Sequence, residues 1–381
     1  MATVKLGDIA IEAKSSNKGD KTGIRIVGLE HLTPSNVTLS SWNEDTENTF
    51  TKEFSKGDVL FGRRRAYLKK AAVAPFDGIC SGDITVIRAI EDKVDPDLLP
   101  FIIQNDFLFD FAVGKSAGSL SPRVKWTHLK EFAIELPLMP EQSKLAETLW
   151  SINETKNAYE DLINKTDELV KSQFIEMFGD IENNQKGYPI KQINEFSDLF
   201  AGATPSTKVS AYWKNGTIPW MSSGEVHMGR VTSTEKKISQ LGYDKCSTKM
   251  VPLHTVVIAI AGQGKTRGTV AVTEIELCTN QSLCAMVTDE TVLSDYLYHN
   301  LRNRYEEIRN MCAIADGRGG LNLKIVGSIK VIVPSIEEQQ QFVAFAEQSD
   351  KSKFALQEAI KDLDALTKKI IAENLIPAGK E

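Results

Sequence analysis

Two stretches of the chain carry apolar residues at helical spacing over far more than an ordinary helix length. Leu145, Leu149, Ile152, Tyr159, Leu162 and Leu169 follow one another at intervals of 4, 3, 7, 3 and 7, and Phe342, Phe345, Leu356, Ile360, Leu363, Leu366 and Ile370 form a second series of the same kind. Such intervals keep apolar side chains on one helix face, the seam of a coiled coil. The ends are also marked. Pro140 and Glu141 suit the first turn of the first helix, and Ser335 with Glu338 has capping-box spacing for the second. Gly179 offers a left-handed stop, and Pro377 follows the second series. From Glu141 to Phe178 the first helix spans about 57 Å at 1.5 Å per residue. Each helix could pack on its own half of the chain. Pairing of the two as an antiparallel spacer is the sharper expectation, because each seam needs a partner and the chain supplies one.

Shorter apolar runs between these helices predict strands. "HLKEFAIELP" and "IVGSIKVIVP" each place an apolar strand just before a proline. "KGDVLFGRRRAYLKKAAVA" and "LHTVVIAIAGQGKTRGTVAV" each place two apolar runs around a polar turn. The runs also repeat. Pro137 and Pro334, Glu141 and Glu338, Gln142 and Gln339, and Val59 and Val256 all stand 197 residues apart. "ICSGDITVIRA" aligns with "LCTNQSLCAMV", Cys80 against Cys278 at 198, so a loop takes up one residue. The expected class is therefore α+β: two tandem mixed α/β globular parts in pseudo-twofold arrangement, with two long helices forming an antiparallel coiled coil. The boundaries fall at 1–139, 140–180, 181–335 and 336–376.

Composition adds constraints. A chain of 381 residues has room for two or three domains, and 41% hydrophobic with 25% charged residues is ordinary for a globular protein. No apolar run approaches 18 residues, so no membrane contact is expected. "MATVKLGDIA" lacks the pattern of a signal peptide. The five cysteines form no C-x-x-C and the five histidines are scattered, so free thiols, a cytoplasmic setting and no metal site are expected.

The net charge of −6 argues against nucleic acid until it is divided along the chain. Residues 141–180 hold nine acidic and four basic side chains, and 337–381 hold nine and six, which leaves the globular parts at +2. The bases there are clustered. Arg63, Arg64, Arg65, Lys69 and Lys70 surround Tyr67; Lys115, Arg123, Lys125 and Lys130 accompany Trp126 and His128. In the second half Lys265, Arg267, Arg302, Arg304, Arg309, Arg318 and Lys324 stand out. A run of bases is usually a solvated face. Three consecutive arginines in a turn of an acidic protein suit phosphate contact and base-edge reading instead.

"AGQGKT" resembles the end of a phosphate-binding loop, G-x-x-x-x-G-K-[ST]. Gly264, Lys265 and Thr266 supply the G-K-T, but Ala259 stands where the first glycine belongs. "TRGTVAV" continues as β-branched strand, whereas a phosphate-binding loop needs a helix behind it. "AMVTDE" could pass for a Walker B strand, a common type of run. The first half places "GRRRAYLK" at the same point with no such pattern. A variable turn fits better than a nucleotide site. Gly262, Gly264 and Gly268 then serve backbone geometry.

The two-fold layout, the helix starts "P-x-x-P-E-Q" and "P-x-x-E-E-Q", "TIPWMSSGEV" and "IAIAGQGKTRGTVAV…LCTNQSL" together resemble the specificity subunit of a type I restriction–modification enzyme. The resemblance covers nearly the whole chain. It implies two target-recognition domains, each reading half of a bipartite double-stranded DNA site across a fixed non-specific spacer. The helices would act as ruler and as docking sites for two methyltransferase subunits, which bind S-adenosylmethionine and methylate an adenine. Separate restriction or motor subunits would use ATP. The chain itself would be no catalyst, hold no cofactor, and work in a bacterial or archaeal cytoplasm. Expected DNA contacts are Arg63, Arg64, Arg65 and Tyr67 in the first half and Lys265, Thr266, Arg267, Asn280 and Gln281 in the second. Ser222 and Ser223 are further candidates, while Trp126, Trp213 and Trp220 are expected to pack. "SGD" (Ser81–Asp83) stands where "TNQ" (Thr279–Gln281) does, so base-reading residues do not carry over between halves. An adenine methyltransferase would need N-P-P-[YF] and a glycine-rich cofactor loop, both absent. A structural repeat protein with incidental basic clusters is the remaining alternative.

Overall fold

The strands Val59–Gly62 and Val256–Ala259 are buried along their whole length, and a layered architecture explains why. The computed structural model describes residues 2–44, 48–262, 264–315 and 320–376, and the side chains of all of these but 312–315. Arg318 and Pro377, singled out above, lie outside the described residues. The chain divides into unit 1, Met1–Leu162 with Ala355–Glu381, and unit 2, Ile163–Phe354.

In unit 1 a four-stranded sheet runs in the order Ala10–Glu12, Ile84–Ala89, Val59–Gly62, Ala71–Val73, all antiparallel. Successive side chains of a strand point to opposite faces. Leu60, Ala72 and Val86 accordingly meet Val27, Phe54 and Cys80 of a second sheet, Asn43–Glu44, Arg25–Val27, Gly78–Cys80, Lys52–Phe54. Val59, Phe61, Ala71 and Ile87 face the other way, into a core with Phe101, Ile102, Phe109, Leu149 and Ile371. A middle sheet covered on both faces cannot alternate polar with apolar, hence the unbroken runs. Ala2–Lys5 pairs with Ala133–Leu136, the strand before Pro137.

Unit 2 repeats the plan. Its middle sheet is ordered Ser197–Ala201, Leu283–Thr288, Val256–Ala259, Val270–Thr273, Arg230–Val231, and its outer sheet Lys236–Ile238, Ile218–Met221, Leu277–Thr279, Met250–Val251. Val257, Ala259, Ala271 and Ala285 meet Met221 and Leu277 between the sheets. Val256, Ile258, Val270 and Met286 face Tyr296, Leu301 and Phe342. Ile190–Gln192 pairs with Lys330–Ile332 as Ala2–Lys5 does with its partner.

The long helices are Met139–Phe178 and Ile336–Leu375, 40 residues each. In unit 1 the start of the first lies with the end of the second: Ala146 and Leu149 share a core with Ile371 and Leu375, and Lys156 Nζ is 2.7 Å from Asp364 Oδ1. In unit 2 Val170, Phe174 and Phe178 share a core with Phe342 and Ala346, and Lys353 Nζ is 2.7 Å from Asp167 Oδ1. The helices are antiparallel, and each also packs on globular structure, so the two expectations combine. The seam is corrected in detail. Leu162, Leu169 and Leu366 are about half exposed, while Val170, Phe174 and Phe178 are buried. A helix of 3.6 residues per turn drifts out of a seven-residue repeat, and spacing by four takes over.

The repeated helix starts have a structural job. Glu141 Oε2 accepts from Leu138 N at 3.1 Å and Glu338 Oε2 from Ser335 N at 3.0 Å. Gln142 and Gln339 are buried. Gln142 Oε1 accepts from Asp95 N at 2.9 Å while its amide donates to Pro137 O at 2.9 Å. Gln339 Oε1 accepts from Leu293 N at 2.8 Å while its amide donates to Pro334 O at 3.0 Å. One amide thus clamps a loop to the proline that ends the strand. Gly179, at φ +76°, closes the first helix, its N–H on Ile175 O at 2.7 Å.

Candidate nucleic-acid interface

The parallel strands Arg25–Val27 and Gly78–Cys80 end side by side, Val27 opposite Cys80; Ile218–Met221 and Leu277–Thr279 do the same, Met221 opposite Thr279. Cys80 therefore corresponds to Thr279, 199 residues on, rather than to Cys278. The loops agree. Ser81 N donates to Val27 O at 2.9 Å as Asn280 N does to Met221 O at 3.0 Å, and Arg63 N to Asp83 O at 3.0 Å as Ile260 N does to Ser282 O at 2.9 Å. Asp83 N reaches Ser81 Oγ at 3.2 Å, and Ser282 N reaches Asn280 Oδ1 at 3.0 Å. So "SGD" corresponds to "NQS", and Asp83 to Ser282. The extra offset arises in the basic turn. It is bounded by Gly62 N to Lys70 O at 2.8 Å in unit 1 and by Ala259 N to Thr269 O at 3.0 Å in unit 2, which leaves seven residues against nine. A two-residue difference inside a variable turn is invisible to a match made on flanking strands.

In unit 1 the turn is braced. Arg65 and Lys69 take left-handed backbone, φ +53° and +51°, around a short 3-10 helix, Ala66–Leu68. Arg65 N donates to Pro122 O at 2.8 Å, and Arg64 bridges to Arg123 as an isolated antiparallel pair. The arginines then part ways. Arg63 is half-buried, with Nε lacking a partner among the described residues; its counterpart is Ile260, which packs on the unit 2 core. Arg64 Nε donates to Ser121 Oγ at 2.6 Å, and its Nη1 lies 3.4 Å from Asp83 Oδ2. Arg123 donates to the same carboxylate through Nε at 2.7 Å and Nη2 at 3.3 Å. These bonds, from Arg123 above all, hold Asp83 below the usual carboxylate range. Arg65 and Tyr67 are exposed at the turn. Lys69 pairs with Asp106, and Lys70 Nζ donates to Leu29 O at 2.7 Å.

In unit 2 Gly262, Gly264 and Gly268 have φ of +131°, +66° and +87°, values that side-chain-bearing residues rarely adopt. The G-K-T sequence lies in a hairpin turn between Val256–Ala259 and Val270–Thr273, with no helix behind it. Lys265 is exposed, and its carbonyl accepts from Tyr305 Oη at 3.0 Å. Thr266 Oγ1 is 3.2 Å from His227 Nε2, Arg267 is half-buried, and exposed Gln281 accepts from Thr204 Oγ1 at 2.5 Å. Asn280 caps its own loop through Ser282 N, and Ser222 donates to Glu225 Oε2 at 2.8 Å. Arg302 and Arg304 are tied down elsewhere, to Asp167 and Glu307. The tryptophans pack: Trp220 is buried edge-to-face with Trp213 at 5.1 Å, and Trp126 covers the unit 1 core. Buried Cys80 and Cys284 have thiols pushed up to about 12, unreactive positions. Among the described residues no group of His, Cys, Asp or Glu could hold a metal ion, and no helix is long and apolar enough to cross a membrane.

Sequence reasoning assembled the turn but missed its partners. Arg123 stands in a basic cluster of its own; with Asp83 and Ser121, and like His227 and Thr204, it lies some tens of residues from the loop it meets, and only the meeting of separate loops joins them.

A family model described as the type I restriction modification DNA specificity domain matches residues 1–167 and 185–363. The EcoR124I/EcoR124II specificity subunit of Escherichia coli is 28% identical over 163 residues, 42% of this chain and 40% of that one. The MjaIX specificity subunit of Methanocaldococcus jannaschii is 27% identical over 169 residues, 42% of this chain and 38% of that one. These matches span well under two thirds of either relative. Two solved structures share the fold over nearly the whole chain: one from a study of type I R-M complex assembly (21% identity, TM-score 0.59, 98% of this chain and 97% of that one), and the S subunit of a type I system from M. genitalium (14%, 0.59, 99% and 96%).

Proposed function

The chain belongs to the family of type I restriction modification DNA specificity domains, matched twice along its length, and from that membership we propose that it is the non-catalytic subunit that tells a type I restriction–modification enzyme where to bind. Each unit reads one half of a bipartite DNA site. One observation carries this reading: the same loop cluster stands at the ends of the same strands in both units, with different letters in it. A repeated frame with unshared loop chemistry suits two readers of two different sequences. Arg64, Arg65, Tyr67, Lys265, Thr266, Asn280 and Gln281 face the duplex or brace the loops that do; Arg63 and Arg267, half-buried, support the turns. The paired helices set the spacer and seat two methyltransferase subunits, with restriction subunits joining the complex in the cytoplasm. S-adenosylmethionine and ATP belong to those partners. The strand after the G-K-T turn supports the absence of a nucleotide site here.

Methylome sequencing of cells expressing the chain with its methyltransferase partner tests the proposal. The expected result is one bipartite motif with a fixed gap. A continuous motif, or methylation independent of this chain, would refute it.

A further inference from the structure

The carboxylate of Asp83 is shared by two guanidiniums, and the way each is held differs. Arg64 is split between two partners, Nε on Ser121 Oγ at 2.6 Å and Nη1 on Asp83 Oδ2 at 3.4 Å. Arg123 meets the carboxylate side-on, Nε to Oδ1 at 2.7 Å and Nη2 to Oδ2 at 3.3 Å. A guanidinium is a flat fork with five N–H groups. Side-on pairing uses Nε–H and one Nη2–H. It leaves the Nη1–Nη2 edge with two parallel N–H bonds, and among the described residues nothing accepts them. The Arg123 side chain is 42% exposed, so that edge can reach a ligand. Its backbone is pinned by the exchange with Ala117, N to O at 2.9 Å and 3.1 Å, and by the bridge to Arg64.

We propose that Arg123 reads a guanine in the half-site of unit 1, with Asp83 as the residue that positions it. This rests on the DNA-reading function given above. The two free N–H bonds match the adjacent N7 and O6 acceptors that guanine shows in the major groove. Adenine presents a donor beside N7, so a donor-only fork is rejected there. A backbone phosphate also accepts two parallel bonds, but the site fits it less well. Asp83 offsets much of the charge that draws an arginine to phosphate. What remains is fixed geometry with reduced net charge, which serves specificity more than general attraction. Unit 2 has Ser282 where unit 1 has Asp83, so the device belongs to one half-site alone.

The test uses the complex with its methyltransferase partner. It measures the methylation motif in cells and methylation rates on duplexes changed one base pair at a time. Arg123→Lys keeps the charge and loses the fork. It is expected to lower discrimination at a single G·C pair of one half-site by about 10- to 100-fold, leaving the other half-site strict. Asp83→Asn should relax the same pair to a smaller degree, an effect that a merely structural role would not confine to one letter. Uniform weakening over all sequences, or a motif unchanged in both variants, overturns the proposal. So does loss of all methylation in both variants from complexes that remain assembled, because one base contact does not carry the whole of binding. A wild-type motif that is bipartite but has no required G·C pair in either half also overturns it, and leaves the general function standing. A wild type with no bipartite motif would instead remove the function on which it rests.

Discussion

Where the paired strands of unit 1 end, a carboxylate gathers two arginines; where those of unit 2 end, Asn280 caps its own loop through the backbone of Ser282, and nearby Thr266 meets a histidine. The helix-facing cores differ in the same spirit. Unit 2 packs Phe174, Phe178, Tyr296 and Phe342 together, with centroids 5.0 to 5.8 Å apart in the contacting pairs. In unit 1 the long helices bring Ala146, Leu149, Ile371 and Leu375 instead, with Trp150 edge-to-face on Phe101 at 5.1 Å. Unit 2 adds Arg230, which reaches Glu274, Asp295 and Asp350, whereas unit 1 has Asp106 between Lys69 and Lys368. Two copies of one plan can thus keep their strand order and their glutamine clamps while exchanging almost every other contact. Backbone hydrogen bonds hold the plan, and they are indifferent to side-chain identity.

The comparison can be broken first through the aromatic core. Phe178 is fully buried, so Phe178→Ala should cost about 3–5 kcal/mol. If the units unfold separately, calorimetry should show the transition of unit 2 falling and that of unit 1 holding. Equal loss in both would mean that the halves do not differ in the way described.

His299 is the next lever. It is buried against Phe342 at 5.3 Å, its Nε2 without a partner among the described residues, and burial above all pushes its pKa down to about 4. The unfolded chain takes up a proton near pH 6.5 and the folded one resists until about pH 4, so stability is complete above 6.5 and drains away as pH falls towards 4. The loss should reach about 3 kcal/mol at most. In unit 1 the corresponding position, set by the matching glutamine clamps on Asp95 and Leu293, is Phe101. His299→Phe should flatten denaturation curves measured between pH 4 and 6.5. An unchanged slope would show that other groups cause it.

The charge networks should rank next. Arg230→Ala leaves three carboxylates facing one another. With its side chain 30% exposed, the cost should be about 2–3 kcal/mol, under the ~3–5 of a fully buried pair. Asp106→Asn, in a more exposed network, should cost about 0.2–1 kcal/mol. Urea titration of both variants checks the order, and a reversal would put the weight on the wrong unit. The smallest expected effect is none: calorimetry with Mg-ATP should show no saturable heat, and micromolar binding lost in Lys265→Ala would restore the phosphate-binding loop.

Much of the fold was legible because it is periodic. The ends of the long helices are marked by residues that act locally, Glu141, Ser335 and Glu338 at the starts and Gly179 after the first. The seam was legible only in part: Leu169 lies beside the buried series Val170, Phe174 and Phe178, and no local rule chooses between adjacent faces. The basic turn was found by composition, yet composition cannot tell exposed Arg65 from Arg64, which is tied to Asp83 and Ser121.

By itself, then, the sequence determined the duplication, the two helices, the strands around a glycine-bearing hairpin and the family, because caps, apolar period and repeated letters are written within a few residues of one another. Only the tertiary structure decided that Asp83 corresponds to Ser282, that Arg63 is half-buried, and that Arg123 has a carboxylate at its side. Those facts depend on two extra residues in one turn and on side chains brought together across some tens of residues of chain. Such a meeting is set by the stacking of two sheets, which no stretch of sequence encodes alone.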